Sequence, residues 1–214
     1  MNNFKKAALS LAFIAAGFAA QAQKSFTEGV ANYTVNVSGQ VQEAKVYFKG
    51  DSSSYQFQAG PADIKLISDD KAGFMVVLVD VPVASIKKAA VYTPADIEQM
   101  KDKEPSFTAI TPTAEKQTIS GYQCTKYTAK DSKTGTTVDI WATTDITAPS
   151  NNLNKYFAGV KGFPIKFSTL VRGQKADVLL KSIVAEKVKE GTFAIPKDFD
   201  RISVEDLMAM GGGR

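Results

Sequence analysis

The stretch Ile119–Ile146 reads ISGYQCTKYTAKDSKTGTTVDIWATTDI, and it decides the fold class. Polar and apolar residues alternate along both of its arms, and the turn-forming run Asp131–Gly135 separates them. Alternation on both sides of a turn is typical of an antiparallel β-hairpin with one buried face. The stretch also holds the single cysteine, Cys124, and the single tryptophan, Trp141. We predict that this hairpin is the centre of a β-rich fold.

Upstream of the hairpin, the same alternation predicts a meander of antiparallel strands joined by short turns. Val30–Ser38 has an apolar face and a face of Asn, Thr and Ser, which is typical of a half-buried strand. Glu43–Lys49 and Ser54–Gln58 repeat the pattern around a Gly-Asp-Ser turn. Ile64–Ile67 and Phe74–Val79 form the next pair, and the strongly apolar Phe74–Val79 is expected to be the most central strand.

Short helices are predicted where capping residues precede helix-compatible runs. Thr93 is a candidate N-cap with Pro94 at the first helical position, and this short polar helix is expected to cover an opening or an edge. Ser150 is expected to cap a second helical turn. Ser203, with Asp206 three residues later, predicts a capped C-terminal helix before a glycine-rich tail.

Further strands are expected on both sides of Ile119–Ile146. Phe107–Thr118 is extended, and Ile165–Arg172 with Ala176–Val188 predicts a last long hairpin. The fold class is therefore mainly β, in the α+β sense: a curved antiparallel sheet forms a half-open β-barrel with short helices across the opening. No linker or repeat divides residues 23–214, which are expected to form a single domain.

The first 22 residues have the three parts of a secretory signal peptide. Lys5 and Lys6 form the positive region, Ala7–Phe18 is the apolar region, and Ala20–Ala22 is a small-x-small cleavage site. An apolar run of a dozen residues is too short to span a bilayer. No cysteine follows it directly, so a lipid anchor is not expected. We predict a periplasmic protein, with secretion as the alternative.

The charge balance excludes one class of partner. Without Lys5 and Lys6 the chain keeps 24 basic and 22 acidic residues, a net charge of +2. That charge is too small for a nucleic-acid-binding surface, and no basic cluster with interleaved aromatic residues is present in the sequence. No later run is apolar and long enough to be a transmembrane segment. We expect neither a nucleic-acid partner nor a membrane anchor.

Most known catalytic arrangements are incompatible with this composition. The sequence contains no histidine, which excludes Ser-His-Asp and Cys-His systems and the usual zinc sites. Neither glycine-rich phosphate-binding motif occurs. The turn from Asp131 to Asp139 resembles a calcium loop only loosely, because Ala142 stands where a bidentate glutamate is required. We expect no cofactor, no metal and no catalytic residues.

Three weaker catalytic alternatives depend on which residues meet in space. Cys124 is either a buried apolar residue or a reactive thiol. Ser85 and Ser68 each begin an S-x-x-K sequence, and Lys133 begins a K-T-G, as in penicillin-recognising enzymes, although these serines lie in strand or turn segments. The third alternative is acid–base catalysis by a pair of carboxylates, for which the candidates are Asp69, Asp70, Asp139 and Asp145.

Four motifs connect the chain to a known family. These are ISGYQCTKY (Ile119–Tyr127), WATTDI (Trp141–Ile146), GFP (Gly162–Pro164) and FAIP (Phe193–Pro196). Together they resemble the bacterial family called domain of unknown function 4412. The segment Ala84–Met100 departs from the family pattern, since it reads SIKKAAVYTP where relatives have an aspartate-rich turn.

The resemblance implies export by a Gram-negative bacterium and likeness to the half-barrel carriers of lipoprotein localisation. In those proteins a curved sheet holds acyl chains under small helices. It implies no catalytic residues, because the family has none assigned. The concave face is then either a filled core or a cavity for a lipid or another apolar ligand. An envelope-protein interaction module with a filled core is the alternative function. Seven residues are predicted to line the cavity: Phe74, Val76, Leu78, Tyr122, Trp141, Phe157 and Phe163.

Overall fold

The computed structural model of the protein describes residues 23–69, 71–171 and 174–211. The predicted signal peptide, residues 1–22, lies outside the described residues. Asp70, the turn residues Arg172 and Gly173, and the last three residues of the glycine-rich tail also lie outside them.

The described residues form fourteen strands and two α-helices. The first seven strands are β1 (Lys24–Ser25), β2 (Glu28–Val37), β3 (Gln40–Lys49), β4 (Ser52–Ala59), β5 (Ala62–Asp69), β6 (Phe74–Val81) and β7 (Ile86–Val91). The other seven are β8 (Phe107–Ile119), β9 (Tyr122–Asp131), β10 (Thr137–Thr143), β11 (Ile146–Thr147), β12 (Phe163–Val171), β13 (Gln174–Val184) and β14 (Asp200–Ile202). The α-helices are α1 (Pro94–Lys103) and α2 (Val204–Gly211), and short 3-10 helices span Pro82–Ala84 and Lys155–Phe157.

Twelve of these strands form one curved sheet that does not close. Its order is β14-β7-β6-β5-β4-β3-β2-β13-β12-β10-β9-β8, and neighbours are antiparallel except β14 and β7, which run parallel. β1 and β11 make a separate parallel pair. The edge strands β14 and β8 do not pair with each other. The architecture is the predicted half-open barrel with short helices.

Two positions in the sheet differ from the sequence expectation. The hairpin β9–β10 forms as predicted, with Thr143 opposite Cys124, but it lies beside the β8 edge. β6 is the third strand from the other edge, and β2 and β3 occupy the middle. The prediction that Phe74–Val79 is the most central strand was wrong. Apolar residues fill both faces of β6 because one face lies in a buried cluster and the other belongs to the apolar concave face of the sheet.

One end of the concave face is a filled core. Tyr33, Val46 and Phe167 belong to a single buried cluster with Leu153 and Phe157, which come from the segment between β11 and β12. The Asn151 side chain fixes that segment, since its Nδ2 donates to the Tyr33 hydroxyl at 3.2 Å. Burial raises the pKa of Tyr33, so the phenol stays neutral and able to accept this hydrogen bond.

The helical turn predicted after Ser150 is a 3-10 turn over Lys155–Phe157, and Asn154, not Ser150, precedes it as the N-cap residue. Asn side chains compete with helical hydrogen bonding here. The amide N–H of Asn151 donates to Asn154 Oδ1 at 2.8 Å, and the amide N–H of Leu153 donates to Asn151 Oδ1 at 3.0 Å. These local bonds hold the backbone in a turn, while Leu153 and Phe157 still enter the core.

The convex face of β5, β6 and β7 is covered by the chain that leads to β14. Ile67, Val76 and Leu78 form a second buried cluster, and Phe193 and Phe199 pack against it. This cover lies more than a hundred residues downstream of β6 in the sequence. It turns one face of β6 into core.

Helix α1 begins as the sequence predicts, behind Thr93. Thr93 Oγ1 accepts from the Asp96 amide at 3.2 Å, and the Asp96 carboxylate accepts from the Thr93 amide at 2.8 Å, which completes a capping box. Because β7 lies near one edge of the sheet and β8 is the other edge, the α1 segment crosses the open side of the barrel. Lys133 holds its C-terminal end by donating to the carbonyls of Asp102 and Glu104, both at 2.6 Å.

Candidate functional site

The other end of the concave face is an open groove of about 950 Å³. Its walls come from β2 to β7, β12 and β13, and Leu153 closes it towards the filled core. Most of its lining side chains are aliphatic or aromatic. Those on the strands are Val35, Val37, Tyr55, Phe57, Ala59, Ile64, Leu66, Val77, Val79, Val81, Ile86 and Val178. Strand register places them on one face, since Phe57 pairs with Ile64 and Ile64 pairs with Val79.

The groove is uncharged among the residues that the structure describes. No Asp, Glu, Lys or Arg of the described segments lines it. Its polar side chains are Gln42, Tyr55, Asn152, Thr169 and Gln174. Burial raises the pKa of Tyr55 to about 12, and a hydrogen bond with Gln42 opposes that rise only in part. Tyr55 is therefore neutral at any physiological pH.

The groove opens at the end of the sheet where three turns meet solvent. β2–β3, β4–β5 and β6–β7 all turn at this end, and Val83 in the last of these turns is 85 % exposed. Helix α2 lies beside the mouth and contributes Leu207 and Met210 to the lining. Its cap forms as predicted, with the Asp206 amide donating to Ser203 Oγ at 3.0 Å.

The seven sequence-predicted lining residues lie outside the groove. Phe74, Val76 and Leu78 are on the opposite face of β6 from Val77 and Val79, in the cluster under the C-terminal segment. Phe157 and Phe163 are buried in the filled core, and Tyr122 and Trp141 pack against that core. The ligand-binding role predicted for these seven residues stays a prediction, and the structure brings none of them to the groove.

The sequence did contain a signal for part of the groove. Tyr55 and Phe57 share one face of a predicted strand, and both line it. Val77 and Val79 went unrecognised because every residue of Phe74–Val79 is apolar, so alternation could not distinguish the two faces. The contribution of α2 could not be found from local patterns at all.

Cys124 is a buried packing residue. Its side chain is 2 % exposed and belongs to the filled core. Burial raises the pKa of the Cys124 thiol to about 11, so the thiolate needed for nucleophilic chemistry is scarce at neutral pH. The reactive-thiol alternative has no geometric support.

The serine and lysine residues of the penicillin-recognition motifs have other partners. Ser68 shares a hydrogen bond with Ser53 at 3.1 Å and donates to Asn152 Oδ1 at 3.2 Å. Ser85 ends a 3-10 turn in the left-handed conformation, with φ of 51°. Lys133 is the residue that binds the carbonyls at the end of α1. These residues lie on separate elements and serve the fold.

The candidate acid–base carboxylates are likewise engaged separately. Asp69 accepts from Ser52 Oγ at 2.7 Å, Asp139 pairs with Lys126 at 3.3 Å, and Asp145 accepts from the Gln123 amide at 3.0 Å. Asp70 lies outside the described residues. Within the described segments, no three Cys, Asp or Glu side chains are grouped so that they could hold a metal ion.

Helix length adds one negative finding. Neither α1 nor α2 has the length and apolar character needed to cross a membrane, and this holds for every helix in the described part of the chain.

Two solved structures share the fold at low sequence identity. PNGF-II superposes with a TM-score of 0.50 and 13 % identity over 87 % of this chain, but this chain spans only 33 % of PNGF-II. An uncharacterised conserved protein from Thermus thermophilus superposes with a TM-score of 0.51 and 11 % identity, covering 83 % of this chain and 90 % of that protein. These likenesses establish the architecture only.

Comparison of the sequence with family models identifies the family, which the structural likenesses do not. No curated protein sequence matches this chain significantly. The model of the family described as "Domain of unknown function (DUF4412)" matches residues 28–153, from the start of β2 to the segment that covers the filled core. That match spans more than half of the chain and agrees with the resemblance of the ISGYQCTKY and WATTDI motifs. The chain belongs to the DUF4412 family.

Proposed function

We propose that this protein binds a lipid or another apolar small molecule in the open groove and does not change it chemically. The observation that carries the proposal is the groove of about 950 Å³, whose walls are mostly valine, isoleucine, leucine and aromatic side chains. Small-molecule sites usually have volumes of roughly 300–1,000 Å³ and mainly apolar walls. Each Å² of ligand surface removed from water contributes about 25 cal/mol, so an alkyl chain supplies its own driving force.

The proposal is non-enzymatic because the groove offers no group suited to covalent or acid–base chemistry. Among its described lining residues, the one titratable group is the Tyr55 phenol, which burial keeps neutral. A general acid or base has a pKa near the working pH, and Tyr55 does not. The place of action we propose is the periplasm, on the basis of the N-terminal export pattern and the family resemblance.

An envelope-protein interaction module is the second candidate function. It is favoured by the edge strand β8, whose thirteen residues are mostly exposed. An open edge can accept a strand from another protein. However, β8 carries Pro112 and two register shifts on its paired side, features that protect edges from such pairing. We therefore rank this function below ligand binding.

The test is native mass spectrometry of the protein purified from the periplasm, followed by lipid extraction. We expect the wild-type protein to carry a co-purifying apolar molecule. Val79→Trp places a large side chain in the groove and is expected to abolish that signal. Val184→Trp is the matched control, because Val184 is 47 % exposed and does not line the groove. A wild-type protein that carries no ligand and takes up no added alkyl compound would contradict the proposal and favour the interaction module.

A further inference from the structure

One polar side chain in the wall of the groove has a buried hydroxyl group that makes no hydrogen bond to the described residues. Thr169 on β12 is 3 % exposed and borders the groove. Its hydroxyl Oγ1 has no hydrogen-bond partner within the described part of the chain. Buried polar atoms are almost always hydrogen-bonded, so an exception needs a physical reason.

The other polar side chains of the groove have protein partners. Asn152 donates to Ser53 Oγ at 3.4 Å and accepts from Ser68 Oγ at 3.2 Å. Gln174 accepts from Ser38 Oγ at 3.4 Å. Gln42 and Tyr55 bond to each other. Thr169 is thus the one residue of this set whose side-chain oxygen is buried without a hydrogen-bond partner among the described residues.

The surroundings of Thr169 define what can bind beside it. Its strand neighbours on the same face are apolar: Thr169 pairs with Ala176, and Val178 two residues further on also lines the groove. A hydroxyl both donates and accepts, so it matches a ligand hydroxyl, ester or ketone group equally well. A carboxylate or an ammonium group would lose its water here without meeting an opposite charge from the described lining, which is strongly unfavourable.

We propose that the groove is specific for an uncharged amphiphile: an alkyl chain with a single hydroxyl or carbonyl group that hydrogen-bonds to Thr169 Oγ1. This inference rests on the proposed function and narrows it to a ligand class. The aliphatic walls hold the chain. A rotation of the Thr169 side chain about its Cα–Cβ bond turns Oγ1 towards the ligand. The hydrogen bond then fixes the position of the ligand along the groove. An ionised fatty acid of the same length is rejected.

The experiment compares two probes of equal chain length, 1-dodecanol and dodecanoate, at pH 8. Binding to the purified protein is measured by isothermal titration calorimetry. We expect 1-dodecanol to bind at least about tenfold more tightly than dodecanoate, because only the carboxylate loses its hydration without compensation. Equal affinity for both probes would overturn the proposed class. If neither probe binds, the apolar-ligand function fails, and this inference fails with it.

Two variants of Thr169 test the assigned contact. Thr169→Val removes the hydroxyl and keeps the shape, and we expect it to weaken 1-dodecanol binding about fivefold, the value of one hydrogen bond. Thr169→Ser keeps a hydroxyl and is expected to retain most of the affinity. The thermal midpoint of ligand-free Thr169→Val should stay equal or rise, since an unpartnered buried hydroxyl is removed. Unchanged 1-dodecanol binding in Thr169→Val, or a lowered midpoint without ligand, would contradict the assignment.

Discussion

The two ends of the concave face share β2, β12 and β13 and differ in what covers them. At one end, Leu153 and Phe157 from the β11–β12 segment fill the space above Tyr33 and Phe167. At the other end, Val37, Phe57 and Val79 face an open groove that α2 borders at its mouth. The same alternation in β2 therefore places Tyr33 in the buried core and Val37, four residues further along, in the groove wall, with the buried Val35 between them.

Whether the concave face is filled or open is therefore decided by the covering segment and not by the sheet. Curvature alone leaves a concave apolar face along the whole barrel. The Asn151–Asn154 turn anchors the cover over one end only, through the hydrogen bond from Asn151 to Tyr33. The remaining end stays open because the chain continues into β12 before it reaches that end.

The largest expected difference between the filled end and the groove is in the stability lost when one phenylalanine at each end is truncated to alanine. Phe157 is buried, with ring centres 5.0 Å from Phe107 and 5.1 Å from Phe167. We expect Phe157→Ala to lower the free energy of unfolding by about 3–5 kcal/mol, because it leaves a cavity in a packed core. Phe57→Ala in the groove wall should cost roughly 1 kcal/mol, since one side of that ring has no packing partner to lose. Urea unfolding measures both.

Equal losses in the free energy of unfolding for Phe157→Ala and Phe57→Ala would contradict the description of one end as filled and the other as open. In that case the groove is collapsed in solution and Phe57 is packed as tightly as Phe157. A matched test of the groove alone is the effect of added 1-dodecanol, which should stabilise wild type and Phe157→Ala but have less effect on Phe57→Ala.

The second test concerns the polar turn beside the filled end, where Asp131 is buried. Burial raises the pKa of the Asp131 carboxyl, but hydrogen bonds from Thr134, Ser106 and Lys133 outweigh it and leave the pKa below its usual value. A lowered pKa stabilises the fold above the unfolded-state value near 3.9, and this stabilisation is lost as the pH falls through the folded-state value.

We therefore expect Asp131→Asn to lose about 2 kcal/mol of stability at pH 7, because an amide cannot accept all of these bonds. Below about pH 4 the variant should lose less stability per pH unit than wild type does. Urea midpoints between pH 2 and 7 measure this dependence. Asp63→Asn is the control, since that carboxylate is exposed and accepts a hydrogen bond from the Gln58 side-chain amide at 3.2 Å. If the urea midpoint of Asp131→Asn fell with decreasing pH as steeply as that of wild type, the Asp131 carboxylate would not contribute to the acid sensitivity of the fold.

A third substitution loosens the cover itself. Asn151→Ala removes the donor to the Tyr33 hydroxyl and the acceptor of the Leu153 amide at 3.0 Å. Because the Tyr33 hydroxyl stays buried without that partner, we expect a loss of about 1.5 kcal/mol in the free energy of unfolding. Combining Asn151→Ala with Tyr33→Phe should recover part of the loss, since no hydroxyl is then left unpaired. Additive losses in the double variant would show that the bond does not hold the cover.

The sequence predicted the locally determined parts of this molecule well. α1 begins at Pro94 behind Thr93, as its N-cap residue indicates, because a cap involves residues only a few positions apart. The strands from β2 to β5 and the β9–β10 hairpin also formed where alternation placed them.

The candidate site was much less predictable. Val76 and Leu78 were expected to face a ligand, but Phe193 and Phe199 cover that face of β6 from more than a hundred residues away. The parallel pairing of β14 with β7 that positions this cover has no local signal, because three residues are too few to show a period. The groove could be recognised only in part, through Tyr55 and Phe57, since the position of its covers depends on long-range contacts.

The smallest expected effect concerns the open end and its border helix. Ser203 Oγ accepts from the Asp206 amide at 3.0 Å, and its hydroxyl bonds the Asp206 carboxylate at 2.9 Å. Ser203→Ala should destabilise α2 by about 1 kcal/mol. Because α2 borders the groove only through Leu207 and Met210, hydrogen exchange should rise in residues 204–211 and stay unchanged in the filled core. The paired control is Thr93→Ala, which removes the equivalent cap from α1 and should raise exchange in residues 94–103 instead. If exchange also increased across β2 and β12 in Ser203→Ala, the two ends of the barrel would be energetically coupled. That result would contradict the expectation that each end is stabilised independently by its own covering segment.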